Sequence, residues 1–261
     1  TVTYAVTPTA WGCPPGPSQN VILTVNPRPQ VNNAVTNFQI CSGTSTNIVP
    51  TSTVPGSTYS WTAAGSSGNV TGFSNGSGMT IVQTLTNTGF NIESVTYQVT
   101  ATANGCPGNA TPFTVTVFPV ANVLFTPNGQ SFCSGTTTSI SISSNVAGTS
   151  YTWTAVGSSP TVSGYSPGSG NFIQQTLFNS GPYPETVTYT VSPSANGCPG
   201  TITPVVVTVN PYPAESYTPC FDPVVSVNSQ PIPLKGALPL GGTYSGTGVL
   251  GGIFYPSTAG A

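Results

Sequence analysis

Apolar and polar side chains alternate with a period of two along much of the chain, which is the pattern of β-strands. The clearest stretches are Val95-Thr-Tyr97-Gln-Val99 and Val187-Thr-Tyr189-Thr-Val191, whereas helical spacing of apolar residues is absent from the sequence. Each stretch leads to an Asn-Gly pair, Asn104-Gly105 or Asn196-Gly197, and then to another alternating segment. Because Asn-Gly favours tight turns, the pattern predicts two β-hairpins.

The hairpins belong to an internal repeat. Residues 41–106 recur at 133–198 without a gap, so that Trp61 and Glu93 reappear 92 positions later as Trp153 and Glu185. Residues 1–14 match only the tail of the same unit, at an offset of 93. Arrays of one domain type more often build length or present surfaces than catalyse reactions.

Two aromatic residues share one face of a predicted strand in each copy, Tyr59 with Trp61 and Tyr151 with Trp153. Such a pair either stacks on a sugar or forms a core, and the core is favoured because immunoglobulin-like domains bury a Trp between their sheets. About seven short strands in about 90 residues is also the size of such a domain. We therefore predict an all-β fold of tandem immunoglobulin-like β-sandwiches arranged end to end.

Short proline-rich joins, which are semi-rigid, set the predicted domain limits. Residues 1–28 are the C-terminal hairpin of an incomplete domain, 29–118 and 119–211 are the two repeats, and 212–261 begin a further, different β domain. The half-domains at the ends either reflect where the segment was cut or are completed by neighbouring copies, which would propagate a filament.

The composition excludes most kinds of catalytic and metal-binding site. The chain has no His, and its titratable side chains other than Cys and Tyr are Arg28, Lys235, Glu93, Glu185, Glu215 and Asp222. These residues supply no base for a nucleophile and no clustered ligands for zinc or calcium, so we predict no catalytic residue, metal or cofactor. The net charge of −2 and the absence of a basic cluster argue against a nucleic-acid partner, and no apolar run is long enough for membrane insertion.

Five of the six cysteines fall into two sequence contexts. Cys41 and Cys133 begin Cys-Ser-Gly-Thr and are called openers, whereas Cys13, Cys106 and Cys198 lie in Gly-Cys-Pro and are called closers. Opener and closer are 65 residues apart in both repeats. This constant spacing predicts the disulfides Cys41–Cys106 and Cys133–Cys198, each worth about 4 kcal/mol by loop-closure entropy.

That pairing implies an oxidising, extracellular compartment and leaves Cys13 and Cys220 without partners. Two alternatives stay open. The thiols are free and buried, or a sandwich places an opener at the end of its first strand and the closer at the opposite end, beyond bonding distance.

Trp11 departs from the repeat pattern, because it occupies the turn position that Asn104 and Asn196 hold in the other copies. It is a candidate surface contact, since an exposed aromatic at a loop tip suits ligand stacking. The alternative is that it packs against the first strand of the next domain.

The combination Ile40-Cys-Ser-Gly, Tyr59-Ser-Trp61, Val95-Thr-Tyr97 and Asn104-Gly-Cys-Pro107 resembles the PKD-like and immunoglobulin-like repeats of very large Bacteroidota surface and secreted proteins. The segment from Gly241 to Ala261 looks like a second repeat type that often follows them. The resemblance implies export by the type IX secretion system and a role in adhesion, gliding or scaffolding.

These observations predict a non-catalytic structural or adhesive segment of a secreted or surface protein, acting as a rod-like stalk or filament body. The alternative is a carbohydrate-binding accessory module of a secreted polysaccharide-degrading enzyme. The expected partners are neighbouring repeats of the same chain, with copies of itself in a filament and surface glycans as further candidates.

Overall fold

The computed structural model describes residues 1–213, 215–217, 224–238 and 242–259. The chain forms two compact units. The first comprises Thr1–Val123, Ser144–Ser150 and Ser192–Ile202, and the second comprises Leu124–Ser143, Tyr151–Val191 and Thr203–Ala261. The secondary structure is almost entirely β, as the alternating pattern predicts.

The chain begins with an isolated hairpin of β1 (Val2–Val6) and β2 (Gln19–Leu23). The strands of the first repeat follow: β3 (Asn37–Cys41), β4 (Thr44–Ser45), β5 (Thr58–Gly65), β6 (Val70–Thr71), β7 (Gly76–Ser77), β8 (Thr84–Asn87), β9 (Glu93–Ala103) and β10 (Cys106–Phe118).

The first repeat is a sandwich of a five-stranded and a three-stranded sheet. The larger sheet has the order β3-β10-β9-β5-β7 and the smaller one β4-β8-β6. All pairings are antiparallel except that of β3, which runs parallel to β10 and places Cys41 opposite Phe118. The predicted hairpin is confirmed, because β9 and β10 pair across Asn104 and Gly105, both of which have positive φ.

Side chains from both sheets fill the core between them. Along β9 every second residue is buried, and Val95, Tyr97 and Val99 are completely inaccessible to solvent. They pack with Trp61 and with Leu85 from the smaller sheet. Burial of each such side chain contributes about 1.5–3 kcal/mol, so the period-two pattern is also the main source of stability.

The second repeat reproduces this arrangement with β11 (Leu124–Thr126), β12 (Gln130–Cys133), β13 (Thr136–Thr137), β14 (Ile140–Ser143), β15 (Ser150–Gly157), β16 (Val162–Ser163), β17 (Gly168–Ser169), β18 (Phe172–Ile173), β19 (Thr176–Asn179), β20 (Glu185–Ala195), β21 (Cys198–Pro199) and β22 (Thr203–Asn210). Its large sheet has the order β12-β22-β20-β15-β17, with β21 on β20. Strand β12 is parallel to β22 and sets Cys133 opposite Asn210.

The C-terminal segment forms small sheets of two-residue strands, β23 (Ser216–Tyr217), β24 (Ile232–Pro233), β25 (Ala237–Leu238), β26 (Val249–Leu250) and β27 (Ile253–Phe254), followed by the short helix α1 (Pro256–Ala259). Strand β23 pairs with β25, and the order of the other sheet is β24-β27-β26. This pattern differs from that of the two repeats.

Glycine at position 76 is required by the packing of Trp61. The two residues are opposite each other in the pairing of β5 with β7, and a Cβ on Gly76 would lie 2.7 Å from the indole Cζ2. Gly168 has the same relation to Trp153, at 2.5 Å. A glycine in strand β7 thus makes room for the largest side chain of the core.

We expect Gly76→Ala to lower the free energy of unfolding by about 1–3 kcal/mol, because the indole must move out of its packed position. Chemical denaturation monitored by tryptophan fluorescence measures the change. Gly68→Ala is the matched control, since a Cβ there meets no heavy atom within 4 Å. Equal stability of the two variants would contradict this account of the core.

Candidate functional site: the cysteine-linked junction

The opener Cys41 lies at the end of β3, in a loop held by backbone hydrogen bonds. The amide of Ser42 donates to the carbonyl of Phe118 at 3.0 Å, and the amide of Gly43 donates to that of Leu85 at 2.8 Å. The Thr44 hydroxyl donates back to the Cys41 carbonyl at 2.6 Å. The Cys-Ser-Gly-Thr motif therefore builds a fixed turn that joins the two sheets and sets the position of the cysteine.

The closer Cys198 lies at the tip of a hairpin. Asn196 and Gly197 form the turn with φ of 53° and 78°, and Cys198 pairs directly with Ala195 across it. The Ser194 hydroxyl donates to the Cys198 carbonyl at 3.2 Å. The Asn-Gly turn thus places the Cys198 side chain at the extreme end of the hairpin, where it is almost fully buried.

Cys41 and Cys198 form a disulfide, with a Cα–Cα distance of 5.6 Å and a sequence separation of 157 residues. Both cysteines lie in the first unit. The predicted pairs Cys41–Cys106 and Cys133–Cys198 are therefore wrong. The opener of the first repeat bonds to the closer of the second.

Strand geometry explains why the predicted pairing fails. Cys41 is opposite Phe118, the last residue of β10, whereas Cys106 is the first residue of the same 13-residue strand. At about 3.3 Å per residue, these two ends are roughly 40 Å apart. A disulfide requires Cα atoms within about 7 Å, so an opener cannot reach the closer of its own repeat.

The remaining cysteines of the described part of the chain are not in disulfides. Cys13 and Cys133 are exposed and Cys106 is half-buried. Cys220, which the constant spacing leaves unpaired, lies outside the described residues. Neither Cys106 nor Cys133 therefore has the partner that sequence spacing assigned to it.

Small residues pack closely beside the disulfide-bearing hairpin. Ala121, Val146 and Ala195 form a buried cluster, and the Thr201 amide donates to the Ala121 carbonyl at 2.8 Å. A Cβ on Gly200 would lie 2.3 Å from that carbonyl oxygen. All these residues belong to the first unit, so the hairpin is held by packing against the segment after β10 as well as by the disulfide from Cys198 to Cys41.

The comparisons with known proteins identify the repeat. The model of the PKD-like domain family matches residues 38–121 and again 130–213, which is well over half of the chain. The chain belongs to the PKD-like domain family. No curated protein matches it.

Solved structures similar to the chain include animal cadherins and a bacterial module. Drosophila N-cadherin EC1-4 is 14% identical to this chain with a TM-score of 0.40, and the alignment covers 76% of this chain and 53% of the cadherin chain. Mouse cadherin-23 EC22-24 is 12% identical with a TM-score of 0.39, and the alignment covers 72% of this chain and 68% of the cadherin-23 chain. The fibronectin(III)-like modules of Clostridium thermocellum CbhA are 13% identical with a TM-score of 0.27, and the alignment covers 70% of this chain and 94% of the CbhA chain. The chain spans about half the length of the N-cadherin fragment, and these low scores transfer no function to it.

The aromatic pairs of both PKD-like repeats are in the core. Tyr59 and Trp61 are buried, as are Tyr151 and Trp153. The Trp61 indole N–H donates to the Ser74 carbonyl at 3.2 Å, so its polar edge is used inside the domain. These rings cannot stack on a sugar, and the interpretation of the pairs as sandwich core is confirmed.

Trp11 is fully exposed at the turn of the N-terminal hairpin. Its neighbour Gly12 has φ of 78°, and the Cys13 amide donates to the Ala10 carbonyl at 3.1 Å, which closes the turn. The indole does not pack against the first strand of the following PKD-like repeat. Its assignment as a candidate surface contact remains a prediction.

Each PKD-like repeat also contains a polar network that the sequence patterns did not single out. The Tyr97 hydroxyl donates to Gln83 Oε1 at 2.8 Å, and the Gln83 amide donates to the Ser74 carbonyl at 2.9 Å. Tyr189 and Gln175 repeat the contact at 3.0 Å. The signal was present, because Gln83 and Gln175 are 92 residues apart, but the period-two pattern does not distinguish a polar residue that faces inward.

Glu93 and Glu185, which occupy the same position in the two PKD-like repeats, each accept a hydrogen bond from a loop serine. The Ser66 hydroxyl donates to the Glu93 carboxylate, and Ser158 does the same to Glu185. Hydrogen bonds from Ser66, and then from Ser67 and Asn69, lower the pKa of Glu93 below its ordinary value. These two glutamates are thus engaged structurally, and the described residues contain no cluster of His, Cys, Asp and Glu that would hold a metal ion.

Within the described ranges, 1–213, 215–217, 224–238 and 242–259, the chain has no helix that is long and apolar enough to cross a membrane.

Removing the observed disulfide should destabilise the protein. Closure of a 157-residue loop is worth up to about 5 kcal/mol in the chain-entropy model, and we expect Cys41→Ser or Cys198→Ser to cost about 3–5 kcal/mol in denaturant unfolding. Cys106→Ser is the matched control and should have little effect. Non-reducing peptide mapping that linked Cys41 to Cys106 would contradict the observed junction.

Alkaline pH should destabilise both PKD-like repeats. Burial raises the pKa of Tyr97 and Tyr189 to about 12 from 10.0, so between these values the folded chain binds more protons than the unfolded chain. Stability is therefore complete below pH 10 and declines as the pH rises through about 12. Circular dichroism, together with tyrosinate absorbance, measures the transition. The Tyr97→Phe, Tyr189→Phe double variant should lose less stability over the same range, and an identical decline would exclude these tyrosines as its cause.

Proposed function

We propose that this chain is a non-catalytic structural or adhesive segment that bears mechanical load. The observation that carries the proposal is the disulfide between the opener of one PKD-like repeat and the closer of the next. It converts two tandem domains from a chain of separable units into one covalently closed segment. A covalent bond between successive domains directly resists their separation under tension.

The path of force through the polypeptide supports this role. Tension applied beyond Cys41 and Cys198 passes through the sulfur–sulfur bond, because the bond is a shorter covalent route than the intervening residues. The first repeat from β4 onward, and the second as far as the tip of its hairpin, lie inside the closed loop. Hydrogen bonds between strands inside the loop are therefore shielded from extension, whereas those of β3 with β10 and of β22 with β12 and β20 join strands on the two sides of the bond and remain under load.

The composition suits the same role. With 4 acidic and 2 basic residues, the chain presents neutral polar groups, chiefly Ser, Thr, Asn and Gln, to solvent. Such a surface has no strong electrostatic attraction to nucleic acid or to anionic lipid. A segment of this kind separates or positions other parts of a protein without binding charged partners itself.

A secreted or surface location is part of the proposal. Disulfides persist in oxidising compartments outside the cytosol, and the junction depends on one. The resemblance to repeats of large Bacteroidota proteins supports export by the type IX system and a place in a rod-like stalk or filament body. Neighbouring PKD-like domains are the proposed partners.

Single-molecule pulling between residues 1 and 261 tests the load-bearing role. The oxidised chain should withhold the segment between the bonded cysteines, whose sequence separation is 157, and reduction should release about 550 Å of additional contour length at about 3.5 Å per residue. Cys41→Ser in oxidising buffer is the matched control and should extend like the reduced chain. Equal extension of the oxidised and reduced wild-type chains would overturn the proposal.

A further inference from the structure

We propose that Cys133 and Cys106 are the two unfilled halves of further junctions of the same kind as Cys41–Cys198. Cys133 takes the closer cysteine of a PKD-like domain that follows it, and Cys106 takes the opener cysteine of one that precedes it. The inference rests on the proposed structural role and names the partner that the junction recognises. That partner is a Cys-bearing PKD-like domain, in the same chain or in another copy.

The opener of the second repeat has the same local frame as the bonded opener. The Ser134 amide donates to the Asn210 carbonyl at 2.8 Å, as Ser42 does to Phe118. The Gly135 amide donates to the Leu177 carbonyl at 2.8 Å, as Gly43 does to Leu85. Cys133 is therefore held at the end of its strand in the position from which Cys41 forms its disulfide, yet its thiol is exposed and unbonded.

The closer of the first repeat likewise matches the bonded closer. Asn104 and Gly105 have φ of 51° and 77°, against 53° and 78° for Asn196 and Gly197. Cys106 pairs with Ala103 across this turn as Cys198 pairs with Ala195. The hairpin tip thus presents Cys106 in the orientation that bonds in the second repeat.

The segments that enter the two repeats also match. A Cβ on Gly108 would lie 2.0 Å from the Pro29 carbonyl oxygen, and a Cβ on Gly200 would lie 2.3 Å from that of Ala121. Pro29 and Ala121 are 92 residues apart, as are the two glycines. The incoming segment is therefore packed on the hairpin in the same way, whether or not the cysteine beside it is bonded.

The N-terminal hairpin indicates where the partner of Cys106 would lie. Asn26-Pro27 corresponds to Phe118-Pro119 and Asn210-Pro211, the positions opposite the openers Cys41 and Cys133. Among the described residues, β2 pairs only with β1 and lacks the parallel neighbour that β10 and β22 possess. An opener strand laid parallel to β2 in the same register would bring its cysteine opposite Asn26, one short join away from Cys106.

Bond formation is a thiol–disulfide exchange that consumes one external disulfide, such as oxidised glutathione. The Cys133 thiolate attacks a glutathione sulfur and releases one glutathione thiolate, which takes up the proton. The thiolate of the partner closer then attacks the Cys133 sulfur of the mixed disulfide and releases the second glutathione. Two protein thiols are oxidised, and one glutathione disulfide is reduced to two thiols.

Insertion of one additional repeat tests the proposal. The variant chain contains residues 1–210, a second copy of 119–210, and then 211–261, with Cys13→Ser and Cys220→Ser throughout to simplify the mapping. The inserted copy also carries Ala147→Ser and Ile202→Val, at two exposed positions, so that its Cys133 and Cys198 peptides differ in mass from those of the original repeat. The variant chain is refolded in a glutathione redox buffer, alkylated and mapped without reduction. We expect Cys41 bonded to Cys198 of the original repeat, and Cys133 of the original repeat bonded to Cys198 of the inserted copy.

The parent chain with the same two Ser substitutions is the matched control, in which Cys133 should be alkylated almost completely. In the variant its alkylation should fall to near zero, while Cys106 stays reactive because no opener precedes it. Both chains are refolded at a protein concentration low enough to keep the parent monomeric, so that a second copy does not supply the missing partner. At high concentration the parent should instead form covalent oligomers joined through Cys133 and Cys106.

A reactive Cys133 in the variant chain, or a bond from Cys133 to the Cys198 of its own repeat, would overturn the proposal. The pulling experiment does not involve Cys133, so the two results can fail separately.

Discussion

The junction depends on one constraint: in each repeat the strand that carries the opener runs parallel to the last strand. These pairs are β3 with β10 and β12 with β22. The parallel pairing places the opener at the point where the last strand leaves the sandwich, opposite Phe118 in one repeat and Asn210 in the other. The closer lies at the tip of the hairpin that leads into that last strand, as the first residue of β10 in one repeat and in β21, just before β22, in the other, and so about one domain length away. Each repeat thus carries one cysteine at each end, an arrangement that suits links between domains.

The hairpin turns complete this arrangement. Asn104 and Asn196 are the non-glycine residues with positive φ in the described part of the chain, and each precedes a Gly and then a closer cysteine. A β-branched or bulky residue would resist that conformation. Small residues around the tip, such as Ala121 and Gly200, let the incoming segment approach closely. The turn chemistry, the packing and the covalent bond therefore depend on one another.

The repeat period and the alternating pattern predicted much of the fold from particular residues. The alternating pattern puts Val95, Tyr97 and Val99 on one face of a strand, and all three are fully buried. The glutamine–tyrosine networks and the requirement for Gly76 were not predicted, because both depend on which side chain lies across the core from which. Linear spacing also suggested the wrong cysteine partner for Cys41. A constant separation between two cysteines reflects the constant length of a domain and carries no information on whether its ends meet.

The amino-acid sequence by itself determined the β class, the hairpins, the tandem repetition and the scarcity of reactive groups, because these follow from local periodicity, turn preferences and composition. Only the tertiary structure decided the disulfide partner, since a bond forms between atoms within a few ångströms and sequence distance does not measure that separation. The parallel strand carried Cys41 away from Cys106 and toward a hairpin 157 residues further along the chain. Because of that position, the disulfide links successive domains, whereas the sequence spacing predicted a disulfide within each domain.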